Sequence, residues 1–251
     1  MMTCAELDGV LRRFTTSEDV TRPGLSRPWR TPSGCVVATD GRIAIACRNV
    51  PSDLYRYDAE DADLSRSRQI LKWISEDKED AYLGFRVPIP LDFVEMGRAA
   101  GVALSDARSY FKPAAWHDPD EDGFDDEERD TPDDFARRNS AVVMPGTRRT
   151  QIAAWYAATV AVTVKAFGGE CVAYDWLPGK RPPGRRKCAY SRLLFVGEDY
   201  DILLMPLRLF SRATGARLDF DRSIADAATG RLVKSYGDVA ARWKATIKER
   251  R

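Results

Sequence analysis

Catalysis needs nucleophiles, bases and metal ligands, and this 251-residue chain offers few of them. Its one histidine, His117, stands among Pro and Asp residues. Ser–His and Cys–His nucleophile systems would both have to use it, and a histidine-based metal site would lack its second imidazole. His117 therefore reads as an exposed loop residue. The cysteines, Cys4, Cys35, Cys47, Cys171 and Cys188, are odd in number and widely spaced, with no Cys-x-x-Cys pair. That pattern argues against a zinc ribbon or a redox motif and for free thiols in a reducing cytoplasm. Asp118-Pro119-Asp120-Glu121-Asp122-Gly123 matches the opening of a calcium loop, with carboxylates at alternate positions and Gly at the bend. The twelfth position, which should hold a bidentate Glu, is Arg129, and Glu128 falls one residue early. A solvated acidic loop is the plainer reading. A two-metal nuclease site would need the same carboxylates preorganised, which a loop of this composition does not provide. The sequence thus predicts no enzyme: no catalytic residue, no cofactor and no resident metal.

Two basic segments suit phosphate better than any acidic one suits metal. Lys180 to Lys187 reads Lys-Arg-Pro-Pro-Gly-Arg-Arg-Lys, and 235–251 places Val239, Trp243 and Ile247 at helical spacing among Lys244, Lys248, Arg250 and Arg251. Lys and Arg bunched on such elements can meet phosphates without reading bases. The alternative for each is a solvated face. Overall charge decides nothing, since 39 basic side chains face 38 acidic ones. There is no run of 18 apolar residues and no basic-then-apolar leader, so neither a membrane span nor a secretory signal is expected.

The elements that would carry these residues follow from periodicity. Leu7, Val10, Leu11 and Phe14 share one helical face, with Arg12 and Arg13 off it. Cys35–Ala38 and Ile43–Ala46 are short β-type runs around Thr39-Asp40-Gly41-Arg42, and an Asp-Gly there predicts a hairpin. Helix is predicted over 66–78 and again from Leu91 to Ala100. Between them, 85–90 reads as extended, because each Pro biases its predecessor away from α. The acidic stretch from His117 to Asp134 reads as loop or linker. Ala141–Met144 is a strand candidate, Pro145-Gly146-Thr147 a turn, and Arg148 to Phe167 an apolar helix opening on Arg148 and Arg149. Cys171–Tyr174 reads as strand, and Leu193–Val196 pairs naturally with Ile202–Met205.

Two of these segments say more. Val37-Ala38-Thr39-Asp40-Gly41-Arg42-Ile43-Ala44 resembles the Ala-Thr-Asp-Gly-His-Arg-Leu-Ala hairpin of the bacterial DNA polymerase III β sliding clamps. Ile202-Leu203-Leu204-Met205-Pro206-Leu207-Arg208-Leu209 resembles the closing strand of the same family, usually Val-Val-Met-Pro-Met-Arg-Leu. They occur in the family's order. Residues 4–48 and 141–209 each look like its repeating unit of helix and strands, and 85–101 could supply a further strand and helix.

The resemblance implies an α+β, DNA-clamp-like fold with antiparallel sheets and helices packed on one face. Clamp-like parts would cover 1–116 and 141–210, with 117–140 as acidic linker and 211–251 as a C-terminal extension that the family lacks. It further implies a replication processivity factor or clamp-derived scaffold with a pocket for polymerase-type peptides. Thr39, Gly41 and Arg42 would form one wall, and Met205, Pro206, Leu207 and Arg208 the other. Arg12, Arg13, Arg98, Arg148, Arg149, Arg185, Arg186 and Lys187 would face double-stranded DNA, held without base readout inside a homo-oligomeric ring. A two-domain chain implies a trimer and a single-domain chain more copies. The sequence departs from the family at Arg42-Ile43-Ala44, where His-Arg-Leu is usual, and it is too short for the family's three domains. A phage or mobile-element origin would suit so short a relative. The competing expectation is a non-ring nucleic-acid- or protein-binding accessory factor that uses the basic loop and terminal helix.

Overall fold

The computed structural model describes residues 2–16, 25–55, 64–110, 131–143, 151–176, 192–206, 223–226 and 231–233. The fold is α+β, and the chain divides into two units. One comprises Met1–Val94, Pro145–Arg148 and Thr159–Pro206; the other comprises Glu95–Met144, Arg149–Ala158 and Leu207–Arg251.

The first unit opens with α1 (Cys4–Arg12), started by a capping box. Thr3 Oγ1 accepts from the Glu6 N–H (3.2 Å), and the Glu6 carboxylate accepts from the Thr3 N–H (2.7 Å). Leu7, Val10 and Leu11 are buried along its inner face, as the periodicity predicts. Next come β1 (Trp29–Arg30), β2 (Val36–Thr39), β3 (Ile43–Cys47), α2 (Leu64–Tyr82) and β4 (Arg86–Ile89). Further along the chain are β7 (Cys171–Trp176), β8 (Leu193–Gly197) and β9 (Tyr200–Leu204). Seven strands form one antiparallel sheet in the order β1-β2-β3-β9-β8-β7-β4. The predicted pairs β2–β3 and β8–β9 lie at its centre, joined by β3–β9.

Helix α2 packs on one face of this sheet. Ile70 and Ile74 meet Val37, Ala44, Ala46, Leu194 and Leu203, each strand supplying alternate residues. The intervening residues, among them Val36, Ile43, Ile45, Phe195, Ile202 and Leu204, are buried on the other face. There the Phe93 ring lies 6.2 Å from Phe195. The strands therefore read as continuous apolar runs rather than as alternating patterns.

In the second unit, α3 (Phe93–Ser109, from Glu95 onward) buries Met96, Ala99, Ala100, Ala103, Leu104 and Ala107. Helix α4 (Pro132–Asn139) has Thr131 as N-cap, Pro132 in its first turn and Asp134 completing a capping box. Here the acidic stretch read as loop to Asp134 has already become helix. Four strands, β5 (Ser140–Val143), β6 (Gln151–Ala153), β10 (Ser223–Asp226) and β11 (Arg231–Val233), are ordered β11-β10-β5-β6. β10 runs parallel to β5, and the other pairs are antiparallel. Strand β6 also corrects the expected helix over 148–167: residues 151–153 pair with β5, and α5 (Ala154–Phe167) begins only afterwards. A three-residue segment such as Gln151-Ile152-Ala153 is ambiguous in isolation, and the available strand partner decides it.

Candidate functional site

The Thr-Asp-Gly turn is closed by a bond from the Asp40 N–H to the Ile43 carbonyl (3.3 Å) and held further by its own side chains. Thr39 Oγ1 donates to the Ile43 carbonyl (2.8 Å) and accepts from the Gly41 N–H (2.9 Å). Asp40 Oδ1 accepts from the N–H groups of Arg42 (2.7 Å) and Ile43 (2.9 Å). This is the local use of Thr and Asp that turns favour. Gly41 has φ +89°, a conformation that disfavours any side chain there. Thr39 is thus buried and committed to the turn, while Gly41 and Arg42 are exposed.

Strand β9 lies beside this hairpin. Ile43 pairs with Leu204, and the Met205 N–H donates to the Arg42 carbonyl (2.8 Å), carrying the ladder one step beyond β9. Every β9 residue is buried, yet Met205 immediately after it is 36% exposed and Pro206 half-buried. Thr39, Gly41, Arg42, Met205 and Pro206 are therefore brought to one end of one sheet. Leu207 and Arg208 lie outside the described residues.

The residues expected to face DNA are placed differently. Arg12 is exposed at the end of α1 and its Nε is 2.8 Å from Asp8 Oδ2. Asp8 also accepts a hydrogen bond from the Tyr55 hydroxyl. Burial raises the Asp8 carboxyl, but the bonds from Tyr55 and Arg12 outweigh it and hold the group below its ordinary value. Arg13 is the α1 C-cap, with its N–H donating to the Val10 carbonyl (3.1 Å). Arg98 is exposed on α3, 3.9 Å from Glu95. Arg148, Arg149, Arg185, Arg186 and Lys187 lie outside the described residues, as do His117, Cys188, the acidic hexapeptide at 118–123 and the terminal segment 235–251.

A charged node that sequence reasoning missed lies at the same end of the sheet. Asp77 of α2 is fully buried and receives Arg192 bidentately, Nε to Oδ2 at 3.1 Å and Nη2 to Oδ1 at 3.0 Å. Arg86 Nη2 lies 2.9 Å from the same carboxylate, and Arg86 Nη1 donates to the Arg192 carbonyl (2.9 Å). Arg86 stacks on Trp176 at 4.1 Å and Arg192 on Trp73 at 5.0 Å. Burial pulls the Arg86 guanidinium below its ordinary value, with Asp77 opposing. No sequence signal joins Asp77 to Arg192, which are 115 residues apart.

Among the described residues, no group of three or more His, Cys, Asp or Glu is placed to hold a metal ion, and no helix is long and apolar enough to cross a membrane. Of the described thiols, Cys4 is exposed, Cys35 and Cys171 are half-buried, and Cys47 is buried, which pushes its pKa up. Comparison with protein-family models, curated proteins and solved structures finds no match to this chain.

Proposed function

We propose that this protein is a sliding-clamp-like scaffold whose cleft between the Thr39–Ile43 turn and Met205-Pro206 accepts a short peptide from a DNA polymerase or another clamp-binding protein. The observation that carries this reading is the meeting of the two family-like segments. They are far apart in the chain, yet the Met205 N–H reaches the Arg42 carbonyl. The chemistry suits a peptide. Met205 offers an adaptable apolar surface, Pro206 a rigid one, and Arg42 a charge for a polar or acidic group beside them. A locked turn costs little ordering entropy when the peptide binds.

The wider part of the proposal is a homo-oligomeric ring sliding on double-stranded DNA through weak phosphate contacts, and it rests on the resemblance alone. The test of the cleft is a fluorescein-labelled polymerase-type peptide titrated with the full chain. Saturable binding that weakens at least tenfold in Met205→Ala and in Arg42→Glu supports the cleft. Absence of saturable binding, or indifference to both substitutions, removes it.

A further inference from the structure

The cleft is the open end of a longer row. Arg86 pairs with Trp176, and Leu193 with Leu204, which makes Arg192 and Met205 the next opposing positions just beyond the ends of β8 and β9. Met205 in turn bonds to Arg42. Leu194 and Leu203 face α2, and Tyr174 packs against the same cluster. Alternation therefore puts Trp176, Arg192 and Met205 on the α2 side as well. Across one end of the sheet, on one face, run Arg86, Trp176, Arg192, Met205 and Arg42. Helix α2 grips the inner part of that row through Asp77 and Trp73.

We infer that Arg192 is a positioning residue for the cleft: the Asp77–Arg192 bridge fixes the place of Met205 relative to Arg42 and ties the cleft to α2. This rests on reading that cleft as a peptide site. Arg192 is buried with its guanidinium shared between a carboxylate and an indole, so it does not reach the peptide itself. Its bidentate fork sets a direction as well as a distance, which a lysine cannot reproduce. Because β8 begins one residue later, a shift of Arg192 moves the start of the strand that β9 pairs with immediately before Met205. A second node offers an internal comparison. Asp201, equally buried, takes Arg48 and Lys78 and lies four residues before Met205.

The experiment labels the methionine methyl groups of the full chain with ¹³C and assigns Met205 by its loss in Met205→Ala. Arg192→Lys is then compared with Asp201→Asn, alongside the peptide titration and a thermal melt of each. The expected result is a displaced Met205 methyl resonance and at least fivefold weaker peptide binding in Arg192→Lys. Asp201→Asn should lower the melting temperature but leave both readouts where they were. An unmoved Met205 methyl in Arg192→Lys, or an equal displacement in Asp201→Asn, overturns the inference. Peptide binding untouched by Met205→Ala counts against the cleft itself, and the methyl resonance in Arg192→Lys then still decides the coupling. If Arg192→Lys does not fold, Trp73→Phe loosens the same guanidinium by a smaller change and is read in the same way.

Discussion

Gly197 ends β8 where no side chain fits. A Cβ there would lie 2.5 Å from Tyr200 Cε1, and that ring is buried against Phe167 at a centroid distance of 4.6 Å. Gly197→Ala is expected to destabilise the protein by about 1–3 kcal/mol, as overpacking does, read from the urea midpoint; an unchanged midpoint would contradict the crowding. The Tyr55–Asp8 bond makes a prediction in pH. The Asp8 carboxyl titrates below its ordinary 3.8 when folded, so its contribution is present above that pH and is lost as pH falls through the folded value. Burial first, and then the bond to Asp8, push Tyr55 above its ordinary 10.0, so its contribution is present below pH 10 and fades as pH rises beyond it. Unfolding free energies measured across pH should therefore fall at both ends, and Tyr55→Phe should flatten both limbs. Limbs of unchanged steepness would show that the bond does not form in solution.

Helix α2 binds its sheet by two different means. Ile70 and Ile74 supply burial without direction, while Asp77 and Lys78 supply direction through Arg86, Arg192 and Asp201. Asp77→Asn removes a negative partner that both buried arginines touch and is expected to cost about 3–5 kcal/mol, measured by chemical denaturation. A loss below about 1 kcal/mol would mean that Asp80, also buried nearby, carries the balance. The hydrophobic half of this arrangement was legible in the sequence. Ile70 and Ile74 are at helical spacing, the Asp-Gly turn announced β2–β3, and the apolar runs at 193–196 and 202–204 announced β8–β9. The polar half was not, because a bridge between residues so far apart leaves no local trace. Helix α4 was hidden for another reason. Its Thr131-Pro132-Asp133-Asp134 start has the cap, the early proline and the N3 acid of a helix N-terminus, but these signals sit inside acidic composition that reads as solvated chain. The family-like order of the two segments gave a reason to expect Arg42 and Met205 near each other, and they are hydrogen-bonded neighbours at one end of the sheet. The hydrogen bonds that tie the Thr39 hydroxyl into the turn were not legible in the sequence.

At the scale of the molecule, the sheet edges constrain how copies could join. In the seven-stranded sheet, β1 has two residues and β4 carries Pro88, which has no N–H to give a neighbouring strand. A ring closed by strand pairing would therefore draw on the four-stranded sheet, whose edges among the described residues are β6 and β11. The proposed clamp-like assembly predicts a discrete oligomer whose light-scattering mass holds steady on dilution at two salt concentrations. A monomer of 28.2 kDa throughout would exclude a ring that closes unaided. The pairing of β3 with β9 has a consequence for synthesis. Arg48, just after β3, and Asp201 in β9 are 153 residues apart, yet these strands are central neighbours in the sheet. A ribosome adding about 5–20 residues per second leaves the β2–β3 hairpin waiting roughly 8–30 s for its neighbour. Through that interval the strands show apolar residues on both faces, so a nascent chain of this protein is a natural client for whatever shields hydrophobic segments at the tunnel exit.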